Sequence, residues 1–177
     1  MKNSIRMRSH YQSRVRWTVS ATLILIALGV VTPKIRADSS CGPVHGTYTS
    51  VQTTQGCTSP TGICFVGTIT GAAILDGTAT FIELDQAPAA GMPLTEPATT
   101  VSYSGTLTIS TKNGTLTSRD LGVIDGARVA FTEMERPVGG TGIFANTDSV
   151  FFISGSMNSN LTAFQGTLSG VICSNGN

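Results

Sequence analysis

Four carboxylates of this 177-residue chain fall into two pairs, Glu83 with Asp85 and Glu133 with Glu135. In an extended segment, residues at i and i+2 share a face. Each pair is therefore expected to point one way, and two carboxyls on one face can do acid–base work of the glycosidase kind. The same spacing also describes a solvated strand face. Glu133 stands apart because it continues the face of Val129 and Phe131. If that face points inward, Glu133 is a buried carboxyl, which makes it the candidate catalytic residue. Arg128 and Arg136 lie on the opposite face and are expected in surface ion pairs.

Other chemistry is scarce. His45 is the only histidine after the first 37 residues, and no Gly-x-Ser-x-Gly elbow accompanies it, so a Ser–His–Asp triad is not expected. One histidine also argues against a transition-metal centre. The four cysteines lack the paired C-x-x-C spacing of a zinc site. No metal and no cofactor are expected. An aromatic platform for sugars would have only Tyr48 and Tyr103, because the one tryptophan lies in the leader.

The elements that must position these groups begin after a basic leader. Residues 1–37 carry seven basic and no acidic side chains, an apolar run Trp17–Val31, and a small residue, Ala37, at a plausible cleavage point. These are the parts of a secretory signal peptide. An uncleaved anchor is the alternative, but the run is shorter than the roughly 18–20 residues a spanning helix needs. Residues 38–177 hold four basic against ten acidic side chains. A domain near −6 argues against nucleic-acid partners, and with the signal removed no membrane association is expected. The localisation implied is secreted, periplasmic or cell-surface. All four cysteines follow the leader, as in a disulfide-bearing exported domain. Of the three possible pairings, the favoured one joins Cys57 to Cys64 across a short loop and Cys41 to Cys173 between the two ends.

Gly-Thr-x-Thr/Ser recurs at Gly46, Gly67, Gly77, Gly105, Gly114 and Gly166 without a fixed period. This is strand grammar rather than a solenoid repeat, since glycine supplies turns or bulges and threonine suits the pleat. Alternation predicts eight strands, near 45–53, 65–74, 77–85, 98–110, 115–124, 126–135, 148–157 and 161–173. Asp76-Gly77, Asn113-Gly114 and Asp125-Gly126 mark turns. Pro88, Pro93 and Pro97 make 86–97 read as a loop, with its Ala-Pro-Ala-Ala-Gly run expected to be mobile. One face gathers Val101, Tyr103, Leu107 and Ile109, and another Phe164, Leu168 and Ile172. The 148–157 strand is apolar on both faces and is expected to be covered on both. The fold class is all-β: a single antiparallel eight-stranded barrel, with a two-sheet sandwich as the alternative.

The segment Gly139-Gly140-Thr141-Gly142-Ile-Phe144-Ala145, the strand Ser149–Ser156 and Phe164-Gln-Gly-Thr-Leu-Ser-Gly170 resemble the allene oxide cyclase and dirigent family of eight-stranded barrels. Cys57–Cys64 followed by Gly67–Gly71 looks like secreted bacterial members of unsettled activity. The resemblance implies a barrel whose interior holds a small apolar ligand, with Gly139, Gly140, Thr141, Gly142 and Phe144 as a structural turn. The expected function is an exported, non-enzymatic barrel that binds such a ligand or serves at the cell surface. The alternatives are a cyclase- or dirigent-like catalyst acting by cavity shape, and a carbohydrate-binding or adhesion module. Oligomeric assembly is left open.

Overall fold

The computed structural model describes residues 39–89 and 99–175; the segment read as a signal peptide and most of the stretch read as a loop at 86–97 lie outside them, and Gln86–Pro88 of that stretch are strand instead. The described chain is eight strands: β1 (Ser39–Gln52), β2 (Cys64–Thr70), β3 (Gly77–Pro88), β4 (Thr100–Thr111), β5 (Gly114–Asp125), β6 (Ala130–Gly140), β7 (Val150–Met157) and β8 (Ala163–Asn175). Each pairs antiparallel with the next, and β8 returns to β1 along the whole of both strands, closing a barrel. Closure leaves no unpaired edge, which suits a weakly charged, threonine-rich sheet. Among the described residues no helix is long and apolar enough to cross a membrane.

Alternation decides what faces in. On β4, Tyr103, Leu107 and Ile109 are buried, while the threonines between them line the outside. The end where β1 begins and β8 finishes is closed by apolar side chains. Two 3-10 turns, Ala73–Leu75 and Gly142–Phe144, each push one fully buried residue, Leu75 and Phe144, into that end. The Gly139–Phe144 motif is a latch there: the Thr141 N–H donates to Thr115 O at 2.8 Å, and the Thr115 N–H donates to Thr141 Oγ1 at 3.0 Å. Gly142 has a positive φ of 60°, and a Cβ on it would meet Asn113 O at 2.1 Å, so this turn requires glycine.

Disulfides join Cys41 to Cys173 and Cys57 to Cys64. They are the covalent links of a protein that folds in an oxidising environment. Cys41 and Cys173 are direct cross-strand partners in the β1–β8 seam.

Four further expectations are corrected. The 65–74 strand stops at Thr70 and gives way to the 3-10 turn. The sixth strand begins at Ala130, because 126–129 is a turn in which Val129 takes a positive φ of 48°. Arg128 therefore sits in that turn rather than on the strand's opposite face, though it does form a surface ion pair, with Asp125 at 2.8 Å. β7 is covered on one face only: Phe151 and Ile153 are fully buried, whereas Phe152 is 47% exposed on the barrel's outside. A closed barrel gives every strand a solvent face, and Phe152 lies there beside Met134, itself paired with Leu121.

Candidate functional site

The middle layer of the barrel is acidic. Asp120 on β5 and Glu133 and Glu135 on β6 all point inward, with exposures of 4%, 7% and 0%. Register assembles them. Asp120 is the direct cross-strand partner of Glu135, and Glu133 follows at i−2 on the same face. One carboxyl oxygen from each lies within 4.8 Å of the others. The Lys and Arg side chains of the described residues, Lys112, Arg119, Arg128 and Arg136, are all on the outside, as is His45. Among the described residues, therefore, no cationic side chain offsets the cluster.

Two hydroxyls orient it. Tyr103, Gly122 and Glu133 stand in one row across β4, β5 and β6. A Cβ at residue 122 would lie 2.2 Å from Tyr103 Cζ, so the tyrosine ring fills the space that glycine leaves. That placement lets its hydroxyl reach past β5 and donate to Glu133 Oε2 at 2.7 Å. Ser118, fully buried, donates to Glu135 Oε2. Both Asp120 oxygens and Glu135 Oε1 have no donor. The hydrogen bonds open to Asp120 are ones in which a proton is shared with Glu133 or Glu135.

The electrostatics follow. Burial first, then the charges of Glu133 and Glu135, push the Asp120 carboxyl up to about 12. Burial and then the charge of Glu133 raise Glu135 to about 8, against the Ser118 hydroxyl and Asp120, which favour its ionised form. Burial raises Glu133, opposed by its hydrogen bonds with Tyr103 and Asp120. The tyrosines Tyr48 and Tyr103 are raised by burial and by the nearby Glu133 charge.

Beyond this layer, towards the end where β1 finishes and β8 begins, the lining turns aromatic. Phe164 makes edge contacts with Phe65 and Phe131, the ring centroids lying 4.7 and 4.9 Å away, and Phe81 packs on Tyr103 at 5.9 Å. Phe65, Phe81, Phe164, Tyr103 and Glu133 line a chamber of about 20 Å³, room for one water. Ser50 Oγ and Glu83 Oε1, both without partners, belong to groups that line it. The lumen is thus filled by side chains over its middle. A groove of about 530 Å³ lies outside and shares Ser50 and Phe164 with the chamber.

Of the residues singled out from sequence, Glu133 and Glu135 come together. They do not form the solvated face that their spacing also describes. Glu83 and Asp85 are separated: a β-bulge between them leaves Glu83 buried and Asp85 exposed, because the extra residue breaks the i, i+2 relation. The Gly139–Phe144 turn is at the opposite end of the barrel from the aromatic chamber. Asp120 and Ser118 were not anticipated. Their signal was the alternation Leu116, Ser118, Asp120, Gly122, which puts them on the face of a core leucine.

Fold and site together define a closed antiparallel barrel with an acidic waist and an aromatic mouth. No protein-family model, curated protein or solved structure matches the chain.

Proposed function

We propose that this is an exported barrel that holds one small, largely apolar molecule at its aromatic end, as the resemblance to the allene oxide cyclase and dirigent barrels implies. The observation that carries this reading is the shared wall at Phe164 and Ser50 between the outer groove and the inner chamber. The groove has the volume of a small-molecule site. Rotation of one half-buried ring joins it to the chamber. The apolar body of the ligand then rests on Phe65, Phe81 and Phe164. A hydroxyl or carboxyl at its tip accepts from Ser50 Oγ and donates to Glu83 Oε1, satisfying two buried groups that otherwise cost free energy. The basic and apolar leader and the two disulfides support export.

A second reading, a catalyst acting through cavity shape, is favoured by one feature: Glu133, with the Tyr103 hydroxyl on it, lines the chamber. By contrast, Tyr48 and Tyr103, the tyrosines a sugar platform would use, are both buried.

Native mass spectrometry of the exported, oxidised protein tests this, with oleic acid and a methoxyphenol as probes. The expected result is a mature mass beginning at Asp38 and a one-to-one adduct. Phe164→Ala should strengthen the adduct, and Phe164→Trp should abolish it without altering the circular dichroism spectrum. A released probe of changed mass would favour the catalyst. Absence of any adduct in wild type and Phe164→Ala would overturn the binding reading.

A further inference from the structure

Three carboxyls at the centre of a barrel are an unusual use of a core. Each buried carboxylate costs several kcal/mol unless it is offset. A sheet interior offers apolar alternatives at every one of these positions. Among the described residues no basic side chain supplies the offset, since all four face outward.

The arrangement has the marks of a cation site instead. The donors are all oxygen, which selects hard cations over zinc or copper. Their ligand atoms fall within 4.8 Å of one another. Two oxygens across one ion at Ca–O bonds of about 2.4 Å stand about that far apart, so no pair of the three is too widely spaced to share an ion. Three oxygens, two on Asp120 and Oε1 on Glu135, are buried, have no donor, and belong to side chains more than nine-tenths buried. The other two carboxyls are each held by a hydroxyl, Glu133 by Tyr103 and Glu135 by Ser118. Such outer partners commonly fix metal ligands. The enclosed space argues for Ca2+ over Mg2+. Magnesium keeps several waters, and the neighbouring chamber has room for one. Ca2+ is abundant outside cells, and the disulfides belong to an oxidising environment.

We propose that Asp120, Glu133 and Glu135 bind one Ca2+ ion within the barrel, with Tyr103 and Ser118 positioning two of the ligands. The site shares Glu133 and Tyr103 with the aromatic chamber but does not need a ligand there. The sequence reading, which weighed histidine and cysteine ligands alone, does not reach it.

The test uses the full oxidised protein, stripped with EDTA and then titrated with Ca2+ and with Tb3+. Native mass spectrometry should count one Ca2+ per chain. Excitation of tyrosine should sensitise Tb3+ emission, because Tyr103 touches a ligand, and Ca2+ should quench it by displacement. Asp120→Asn should abolish binding. Ser118→Ala should weaken it about 10-fold, as outer-partner losses do. Asp85→Asn, an exposed carboxyl outside the cluster, should leave it unchanged. Should Asp120→Asn fail to fold, Glu135→Gln takes its place, and the wild-type ion count stands without either. Wild type that retains neither ion at about 1 mM, within the range of weak extracellular sites, overturns the proposal. So does a folded Asp120→Asn that binds as tightly as wild type.

Discussion

Gly122→Ala should be among the most damaging single-methyl changes in the barrel, and its cost should vanish when Tyr103 is shortened. The added methyl would stand 2.2 Å from Tyr103 Cζ and 2.5 Å from its hydroxyl oxygen. Carbon atoms in contact sit roughly 3.5–4.0 Å apart, so the ring must retreat by more than about 1 Å. Glu133 lies beyond Gly122 from Tyr103 in the same row, so that retreat draws the hydroxyl off the carboxyl it now meets at 2.7 Å. Overpacking of a core costs about 1–3 kcal/mol and a lost hydrogen bond to a charged group about 1.5–3 kcal/mol, giving roughly 4 kcal/mol together. In a Tyr103→Leu background the clashing atoms are absent. There Gly122→Ala should cost nothing, or stabilise by about 0.5 kcal/mol by restricting the unfolded chain. Urea unfolding of wild type, both single variants and the double variant gives the coupling directly, and about 4 kcal/mol is expected. Additive costs, or a Gly122→Ala cost below about 1 kcal/mol in wild type, would refute the account of how Tyr103 reaches Glu133.

Two further outcomes follow from the same structure. The disulfides span 132 and 7 residues; the chain-entropy treatment makes Cys41–Cys173 worth about 5 kcal/mol and Cys57–Cys64 about 2.5 kcal/mol. Serine replacement of the long pair should therefore lower the urea midpoint about twice as far, and an equal or reversed order would show that strain or residual structure dominates. For Glu83, burial first and the charge of Asp85 also raise the carboxyl above its usual value, against a hydrogen bond from Thr61. The folded state then holds the proton more tightly than the unfolded chain, so stability falls as pH rises from the unfolded value towards the folded one. Glu83→Gln should remove that part of the slope, and difference curves of unfolding free energy between pH 3 and 8 that stay flat would exclude it (about 4.3 being the unperturbed glutamate).

What the sequence disclosed and what it hid divide by range. β4 was legible because Tyr103, Leu107 and Ile109 alternate with threonine, and alternation is a local property of one strand. The hairpin at Asn113-Gly114 was legible through its turn residues, although the positive φ falls on Gly114 alone. The parting of Glu83 from Asp85 was not, since a bulge leaves no mark on a period-two pattern. Nor was Phe152 on the outside, because its neighbours Met134 and Ser169 come from other strands. The acidic layer was half legible. Glu133 and Glu135 share a face by spacing, but Asp120 meets Glu135 only through the β5–β6 register. That register is fixed by the whole length of the pair rather than by any motif.

The layering of the interior bears on why such a cluster persists. Below the acidic waist, Ile109, Leu116, Phe144, Phe151 and Ile172 are all but completely buried, and above it the phenylalanines close the chamber. Either apolar layer could extend through the middle without changing the strand order. Replacement of buried ionic groups by packed apolar residues of similar volume is often neutral or stabilising, by about 1–4 kcal/mol. On packing grounds, then, the three carboxyls weaken the barrel they occupy. A local rule broken by three neighbouring carboxyls of two paired strands is expected of a site rather than of a scaffold. Asp120, both of whose oxygens are buried without a donor, is where that rule is broken most plainly.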